Sequence, residues 1–288
     1  MDPLIAQSLV CYALQHNVRE LEVDLTSYLI HPSKWVWPKS FYNSQLLTQL
    51  TLTNRHSSTY PNDIMPLPKF LGLPALNSLS LTGFIMNEDN FDPSIFSSCP
   101  NLETLNLAFT RTFHGHGLHD LKALRIHALN LKKLFFGALY DKKLLQDRCK
   151  LEIHAPKLTT FKCSGPFRIV CSTERLTCLD DVSFIMSFFS RIQERDLPYV
   201  MDTFKVFDQA KSLTLSVHII EDLSKFPALL DGYGPLFTNI KCLKLKSNGD
   251  MRRELNSFNG YCGAAICRKT LFLPLSRIDL RADLIAAF

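Results

Sequence analysis

The sequence lacks an apolar run long enough to cross a bilayer, since none of its hydrophobic stretches approaches the roughly 18 residues that a membrane-spanning helix needs. The N-terminal segment MDPLIAQSLVCYAL carries an acidic residue instead of a basic region and has no clear cleavage site. It is therefore unlike a secretory signal peptide. We expect a soluble protein that does not bind a membrane.

Marks of the secretory pathway are also missing. No Asn-x-Ser/Thr glycosylation site occurs, and the nine cysteines are an odd number without the tight flanking clusters that cap extracellular repeat proteins. This usage favours a reducing compartment, the cytoplasm or the nucleus, in which a residue such as Cys163 is a small core side chain.

Motifs of the common catalytic sites are absent. The chain has no G-x-S-x-G, no G-x-x-x-x-G-K, no H-E-x-x-H and no G-x-G-x-x-G. We therefore expect no enzyme activity and no cofactor. The net charge of +5 is small for 288 residues and the basic pairs are scattered, so nucleic acid is not an expected partner.

One histidine-rich stretch, RTFHGHGLHDL, has features of a metal site. His114, His116 and His119 have a spacing at which imidazoles can bind zinc, but the intervening glycines favour a solvated loop and no paired cysteine motif accompanies them. Cys262 and Cys267 likewise lack partners. We expect no metal site.

A fragment of the form Leu-x-x-Leu-x-Leu returns along the chain at nearly constant spacing. Clean copies are LLTQLTL, LNSLSL and LETLNL, and looser copies continue the series. The fourth position falls at Leu21, Leu50, Leu79, Leu105, Leu134 and Phe161, in steps of 29, 29, 26, 29 and 27 residues. These steps match the leucine-rich repeat, and they predict an α/β solenoid with a curved parallel β-sheet on its concave side and short helices and loops on its convex side.

Strand geometry assigns the faces of each repeat. Alternate side chains of a strand point to opposite sides, so Leu79 and Leu81 are expected in the interior while Ser78, Ser80 and Thr82 face outward. The copy LKALRI ends only eight residues before Leu134, and we interpret it as a coincidental match on a convex segment rather than as an irregular repeat. LTCLDDVSF is the best match to a copy between Phe161 and Leu213, and DLPYVMDTFKVFDQA predicts an amphipathic helix.

The outward positions of these strands form the predicted protein-binding face. They are acidic in the first repeat, small and polar in the middle repeats and basic in the later ones, and such a gradient orients a partner by complementary potential. Phe135 is the sharpest contact candidate if it faces outward, although Phe136 is able to exchange roles with it. The candidate residues are Glu20, Glu22, Asp24, Gln49, Thr51, Ser78, Ser80, Thr104, Asn106, Lys133, Phe135, Lys162, Lys244 and Lys246. A merely solvated sheet face remains the alternative for each of them.

Several segments resemble the repeat region of plant F-box proteins, in particular the F-box/FBD/leucine-rich-repeat group. SCPNLETLNL, from Ser98 to Leu107, is similar to the turn-and-strand unit of that family, and YALQHNVRELEVDL resembles the entry into its first repeat. The resemblance covers approximately residues 8 to 250. It implies a substrate-recognition subunit in which an F-box binds the Skp-type adaptor of a cullin ubiquitin ligase while the repeats hold a protein target.

The chain departs from that family plan at both ends. No F-box is recognisable before the first repeat, and residues 251–288 lack a recognisable FBD module. We expect a solenoid over residues 1–250 and a divergent or truncated tail over 251–288. The Skp-type adaptor is then a partner only if an F-box lies outside this sequence. The alternative is a stand-alone interaction or decoy protein without a link to a ubiquitin ligase.

Overall fold

The fold was described from a computed structural model, in which residues 3–24, 37–54, 67, 71–84, 86, 92–109, 123–138, 150–164, 170–173, 176–185, 192–230, 233, 239–246 and 271–274 are described. The helices are α1 (Pro3–Gln15), α2 (Leu197–Val206), α3 (Val217–Leu223) and α4 (Pro227–Leu230). The strands are β1 (Glu20–Asp24), β2 (Gln49–Thr53), β3 (Ser78–Thr82), β4 (Thr104–Phe109), β5 (Ala123–His127), β6 (Lys133–Ala138), β7 (Lys150–His154), β8 (Thr160–Ser164), β9 (Val170–Thr173), β10 (Asp181–Ile185), β11 (Ser212–Ser216), β12 (Cys242–Lys246) and β13 (Leu271–Pro274).

A large sheet contains one strand from each repeat. Its order is β1-β2-β3-β4-β6-β8-β10-β11-β12-β13, and all neighbouring pairs are parallel except the last, which is antiparallel. The repeat positions are paired in register, so that Leu50 lies opposite both Leu21 and Leu79. The predicted leucine-rich-repeat solenoid is confirmed.

The residue before each strand joins one repeat to the next through its backbone carbonyl. The carbonyl of Thr48 accepts hydrogen bonds from the N–H groups of Asn77 and Ser78, at 2.9 and 3.1 Å. The same double acceptance recurs at every described junction of the nine parallel strands. The acceptors are the carbonyls of Arg19, Thr48, Asn77, Glu103, Lys132, Thr159, Asp180 and Lys211. This ladder fixes the register before any side chain is considered.

Side chains of the turns before β4 and β6 add a second set of links between repeats. The carbonyl of Leu71 accepts hydrogen bonds from the Ser98 hydroxyl at 2.8 Å and from the Cys99 thiol at 3.1 Å. Asn101 donates through Nδ2 to the carbonyl of Pro74 at 2.7 Å, and Asn130 donates to that of Pro100 at 2.8 Å. Prolines do not donate through their own nitrogen, but their carbonyls serve here as acceptors for the following repeat.

The interior is filled by the inward positions of the strands. Leu79, Leu105 and Leu134 are fully buried, which confirms the predicted strand phase. Phe161 stacks on Phe207 with ring centroids 4.3 Å apart. The amphipathic helix is also confirmed, because α2 buries Leu197, Val200, Met201 and Phe204, and Phe207 follows at its C-terminal end. At the start of the chain, α1 buries Val10 and Leu14 in the same core and ends where Asn17 adopts a φ of 56°.

The interpretation of LKALRI as a coincidence is wrong. Ala123–His127 is the strand β5, which pairs with β7, and β7 pairs with β9, in a separate parallel three-stranded sheet. Leu124 and Ile126 are buried in the same core as the leucines of the large sheet. The repeats in this part of the chain therefore carry a second strand across the core from the first.

The structure shows which segment forms the repeat between Phe161 and Leu213. The segment LTCLDDVSF supplies β10, whose Val182 lies opposite Phe161 on one side and Leu213 on the other. The tail contributes β13 to the edge of the large sheet, and the remainder of 251–288 lies outside the described residues. The division at residue 250 stays a prediction.

Substituting the two faces of β3 separates core from surface. We expect Leu79→Asp to abolish folding, because it places a carboxylate at a site with no solvent access, and Leu79→Ala to cost about 2 to 5 kcal/mol. Ser80→Asp should shift the melting temperature little, since its carboxylate still accepts the hydrogen bond that Asn106 Nδ2 now donates to Ser80 Oγ. Thermal unfolding followed by circular dichroism measures both, and the reverse order would refute the strand phase.

The alkylation rates of the cysteines provide an independent test of which side chains are buried in the core. Burial raises the pKa of the Cys163 thiol to about 12 and also raises that of Cys99, and the thiolate is the reactive form. Cys178 is exposed. We expect iodoacetamide to alkylate Cys178 in the native protein while Cys163 and Cys99 react only after unfolding in urea. Peptide mapping by mass spectrometry gives the outcome at each site, and equal native labelling of Cys163 and Cys178 would contradict the buried assignment.

Candidate functional site

The outward side chains of the large sheet form three parallel rows on the concave face. Row one contains Glu20, Gln49, Ser78, Thr104, Lys133, Thr160, Asp181, Ser212 and Cys242. Row two contains Glu22, Thr51, Ser80, Asn106, Phe135, Lys162, Ser183, Thr214 and Lys244. Row three, at the carboxyl ends of the strands, contains Asp24, Thr53, Thr82, Ala108, Gly137, Ser164, Ile185, Ser216 and Lys246.

Only part of this face is open to solvent. Row three is largely buried, with Thr53 at 8%, Thr82 at 4% and Ser216 at 0% exposure. Row two closes at Ser183 and Thr214, which are 4% and 5% exposed. Rows one and two from β1 to β8 are continuous in exposed or half-buried residues, and we call this part the open face.

All the candidate residues lie on this side of the sheet, but they do not form one continuous surface. Those from Glu20 to Lys162 belong to the open face, apart from Asp24, which is the exposed first member of row three. Lys244 and Lys246 lie three strands beyond Lys162, across the buried Ser183 and Thr214. The continuous basic end expected from the sequence is thus divided in two.

The choice between the two phenylalanines of β6 is settled. Phe136 is 1% exposed and belongs to the core, whereas Phe135 is half-buried in row two. The Nζ of Lys162 lies 5.4 Å from the centre of the Phe135 ring, a cation–π distance. The open face therefore carries an aromatic side chain beside an ammonium group.

Neighbouring rungs of the open face are linked by amide side chains. Gln49 donates through Nε2 to Glu20 Oε1 at 3.1 Å, and Asn106 donates through Nδ2 to Ser80 Oγ at 3.2 Å. The Oδ1 of Asn106 is inaccessible to solvent and has no hydrogen-bond partner among the described residues. A buried carbonyl oxygen without a donor lowers stability, so the link between Ser80 and Asn106 carries an energetic cost.

A different set of charges lines the edge at which the strands begin. Lys132 Nζ lies 2.6 Å from Glu103 Oε1, and Lys211 Nζ lies 2.6 Å from Asp180 Oδ1. The hydrogen bond and the charge of Asp180 raise the pKa of Lys211. Each pair joins neighbouring repeats, and all four side chains are about half exposed or more.

Four members of row one were not among the candidates, namely Thr160, Asp181, Ser212 and Cys242. Thr160 and Asp181 are half-buried, on β8 and on the adjacent β10. Thr160 could have been identified from the sequence, because it and Lys162 lie on either side of the inward Phe161 and therefore point to the same face of the sheet. Asp181 was obscured because the step between Phe161 and Val182 is shorter than the others.

No cluster of three or more metal-binding side chains occurs in the part of the chain that the structure describes. His114, His116 and His119, and also Cys262 and Cys267, lie outside it. On the second sheet, the rings of His127 and His154 are 4.6 Å apart and nearly perpendicular. None of the described helices has the length and apolar character that crossing a membrane requires.

A family model for the leucine-rich repeats of the FBD-associated F-box protein At5g56370 matches residues 7–169, more than half of the chain. The chain belongs to this family. The match includes the strands from β1 to β8, so the open face is formed by family repeats. Membership makes the chain a protein-interaction module of the F-box/LRR type.

Curated relatives from Arabidopsis thaliana belong to the same group of proteins. The chain is 26% identical over 179 residues to the F-box/FBD/LRR-repeat protein At4g13965, a match covering 62% of this chain and 37% of that protein. It is 29% identical over 151 residues to the F-box/FBD/LRR-repeat protein At5g22670, covering 51% and 30%. The chain thus spans about a third of the length of these relatives. No solved structure matches it significantly.

The ion pairs at the strand-entry edge should contribute little to stability. We expect Lys132→Ala to lower the free energy of unfolding by about 0.2 to 1 kcal/mol in low salt and by less in high salt, because both partners are about half exposed. Urea unfolding at two sodium chloride concentrations measures this. A loss that is several times larger and insensitive to salt would show that the pair is a structural anchor.

Proposed function

We propose that this chain is a non-catalytic module that binds a protein target on its open face. The observation that carries the proposal is the continuous accessible surface that rows one and two form from β1 to β8. There the side chains change from Glu20 and Glu22 at one end to Lys133 and Lys162 at the other. A surface with opposite charge at its two ends orients a partner of complementary potential.

We further propose that the target is a substrate for ubiquitin transfer. The names of the relatives include an F-box, and the resemblance of the repeats implies recognition of a substrate by a cullin-type ligase. Binding of the Skp-type adaptor requires an F-box, which would have to lie outside these 288 residues. The module would then act in the cytoplasm or the nucleus, where such a ligase operates.

Capture from plant cell extract by three forms of the protein tests the role of the open face. We expect wild type and Ser97→Arg to retain the same set of proteins and Ser80→Arg to lose at least one of them. Ser97 provides the control, because it is exposed on the segment before β4 and lies outside the sheet. The introduced arginine at position 80 obstructs the centre of the open face, whereas the same residue at position 97 does not. Identical captured sets for all three forms would overturn the proposal.

A pull-down with purified Skp-type adaptor separates the two versions of this function. Binding by the complete gene product that contains these repeats supports the ligase subunit. If the adaptor is not retained while the target still is, the protein is a stand-alone interaction or decoy module.

A further inference from the structure

Some lysines of this sheet form an ion pair with a carboxylate of the neighbouring repeat, and others do not within the described ranges. Lys132 and Lys211, at the strand-entry edge, each lie 2.6 Å from a carboxylate oxygen of the neighbouring repeat. Lys133 and Lys162, on the open face, have no ion pair among the described residues. Asp181, on the strand next to Lys162, forms no ion pair with either of them. No carboxylate of the described residues therefore competes with a partner for their charge.

Phe135 lies beside both lysines. It is two residues after Lys133 on β6, on the same face, and it is directly opposite Lys162 of β8 in the register. An aromatic ring on an otherwise polar face offers apolar contact area with little conformational entropy to lose. The ammonium group of Lys162, 5.4 Å from the ring centre, holds positive charge at the edge of this contact.

Asn106 borders the same patch. It lies opposite Phe135 on β4, and its Nδ2 donates to Ser80 Oγ on the other side at 3.2 Å. The adjacent strands β6 and β8 thus present an aromatic ring and two ammonium groups side by side, next to a polar rung on β4.

We propose that Lys133, Phe135 and Lys162 form a binding site for an acidic segment of the protein target, which we call the β6–β8 patch. A carboxylate of the segment lies near the two ammonium groups, and an apolar side chain contacts the Phe135 ring. The proposal rests on the protein-binding function of the open face and specifies the chemistry of the bound segment.

The opposite end of the open face limits where an acidic segment can lie. Glu20 and Glu22 on β1 lie four strand spacings from β6, which is about 19 Å at roughly 4.8 Å per strand. This exceeds the Debye length of about 8 Å at physiological ionic strength, so each end acts on the ligand separately. An acidic segment is attracted at the β6–β8 patch and repelled at β1.

Selection of peptides tests the site even though the target is unidentified. A phage library of random twelve-residue peptides is panned on the wild-type protein, and the selected peptides are measured by fluorescence anisotropy. We expect enrichment in Asp and Glu, and a Kd that rises with sodium chloride concentration. The Kd should rise at least tenfold in the double variant Lys133→Glu/Lys162→Glu and several-fold in Phe135→Ala.

The matched control is Lys132→Glu/Lys211→Glu, which makes the same change in net charge at two exposed lysines outside the patch. We expect it to bind the peptides as wild type does, and circular dichroism confirms that both double variants are folded. Two results would overturn the proposed site. One is a set of selected peptides that is not enriched in Asp and Glu, and the other is an equal loss of peptide affinity in both double variants. If such peptides are still lost in Ser80→Arg, the open face remains the binding surface. If none of the selected peptides depends on Ser80 or on the two lysines, the proposed function fails as well.

Discussion

The solenoid depends on one shared acceptor at each junction. The carbonyl of the residue before a strand receives two N–H groups from the following repeat, and this arrangement recurs from Arg19 to Lys211. It aligns each strand with the next, and a slip of one residue would exchange every core leucine with an outward polar side chain. The rows of the concave face, and therefore the spacing of its charges, follow from these backbone bonds.

The spacing of leucines was sufficient to predict the large sheet because burial imposes a strict choice at each repeat. A strand forms here only if Leu79 is buried, so the periodic spacing of the leucines in the sequence predicts the strands of the sheet. The strand β5 was missed for a related reason. Ala123–His127 has the alternation of a strand, but it lies close to the next repeat marker and looks redundant when only one strand per repeat is expected. The links made by Ser98 and Cys99 to Leu71 join residues 27 and 28 positions apart, and no local pattern reveals such contacts.

The candidate site shows a second limit of sequence patterns. Lys132 and Lys133 are adjacent and chemically identical, yet the first is paired with Glu103 at the edge and the second lies on the open face without an ion pair among the described residues. Similarly, Thr51 is half-buried on the open face while Thr53 is buried. Polarity identifies which side chains point away from the core, whereas accessibility depends on what covers them in three dimensions.

The closure of row two at Ser183 and Thr214 limits how long a recognised motif can be. Six strands, from β1 to β8 in the sheet order, leave five inter-strand steps, a width of about 24 Å at roughly 4.8 Å per step. An extended chain advances about 3.3 Å per residue, so a segment crossing at right angles to the strands is read over about seven residues. A segment of this length is short enough to lie within one flexible tail or loop, and its recognition does not require the bound protein to be folded in any particular way.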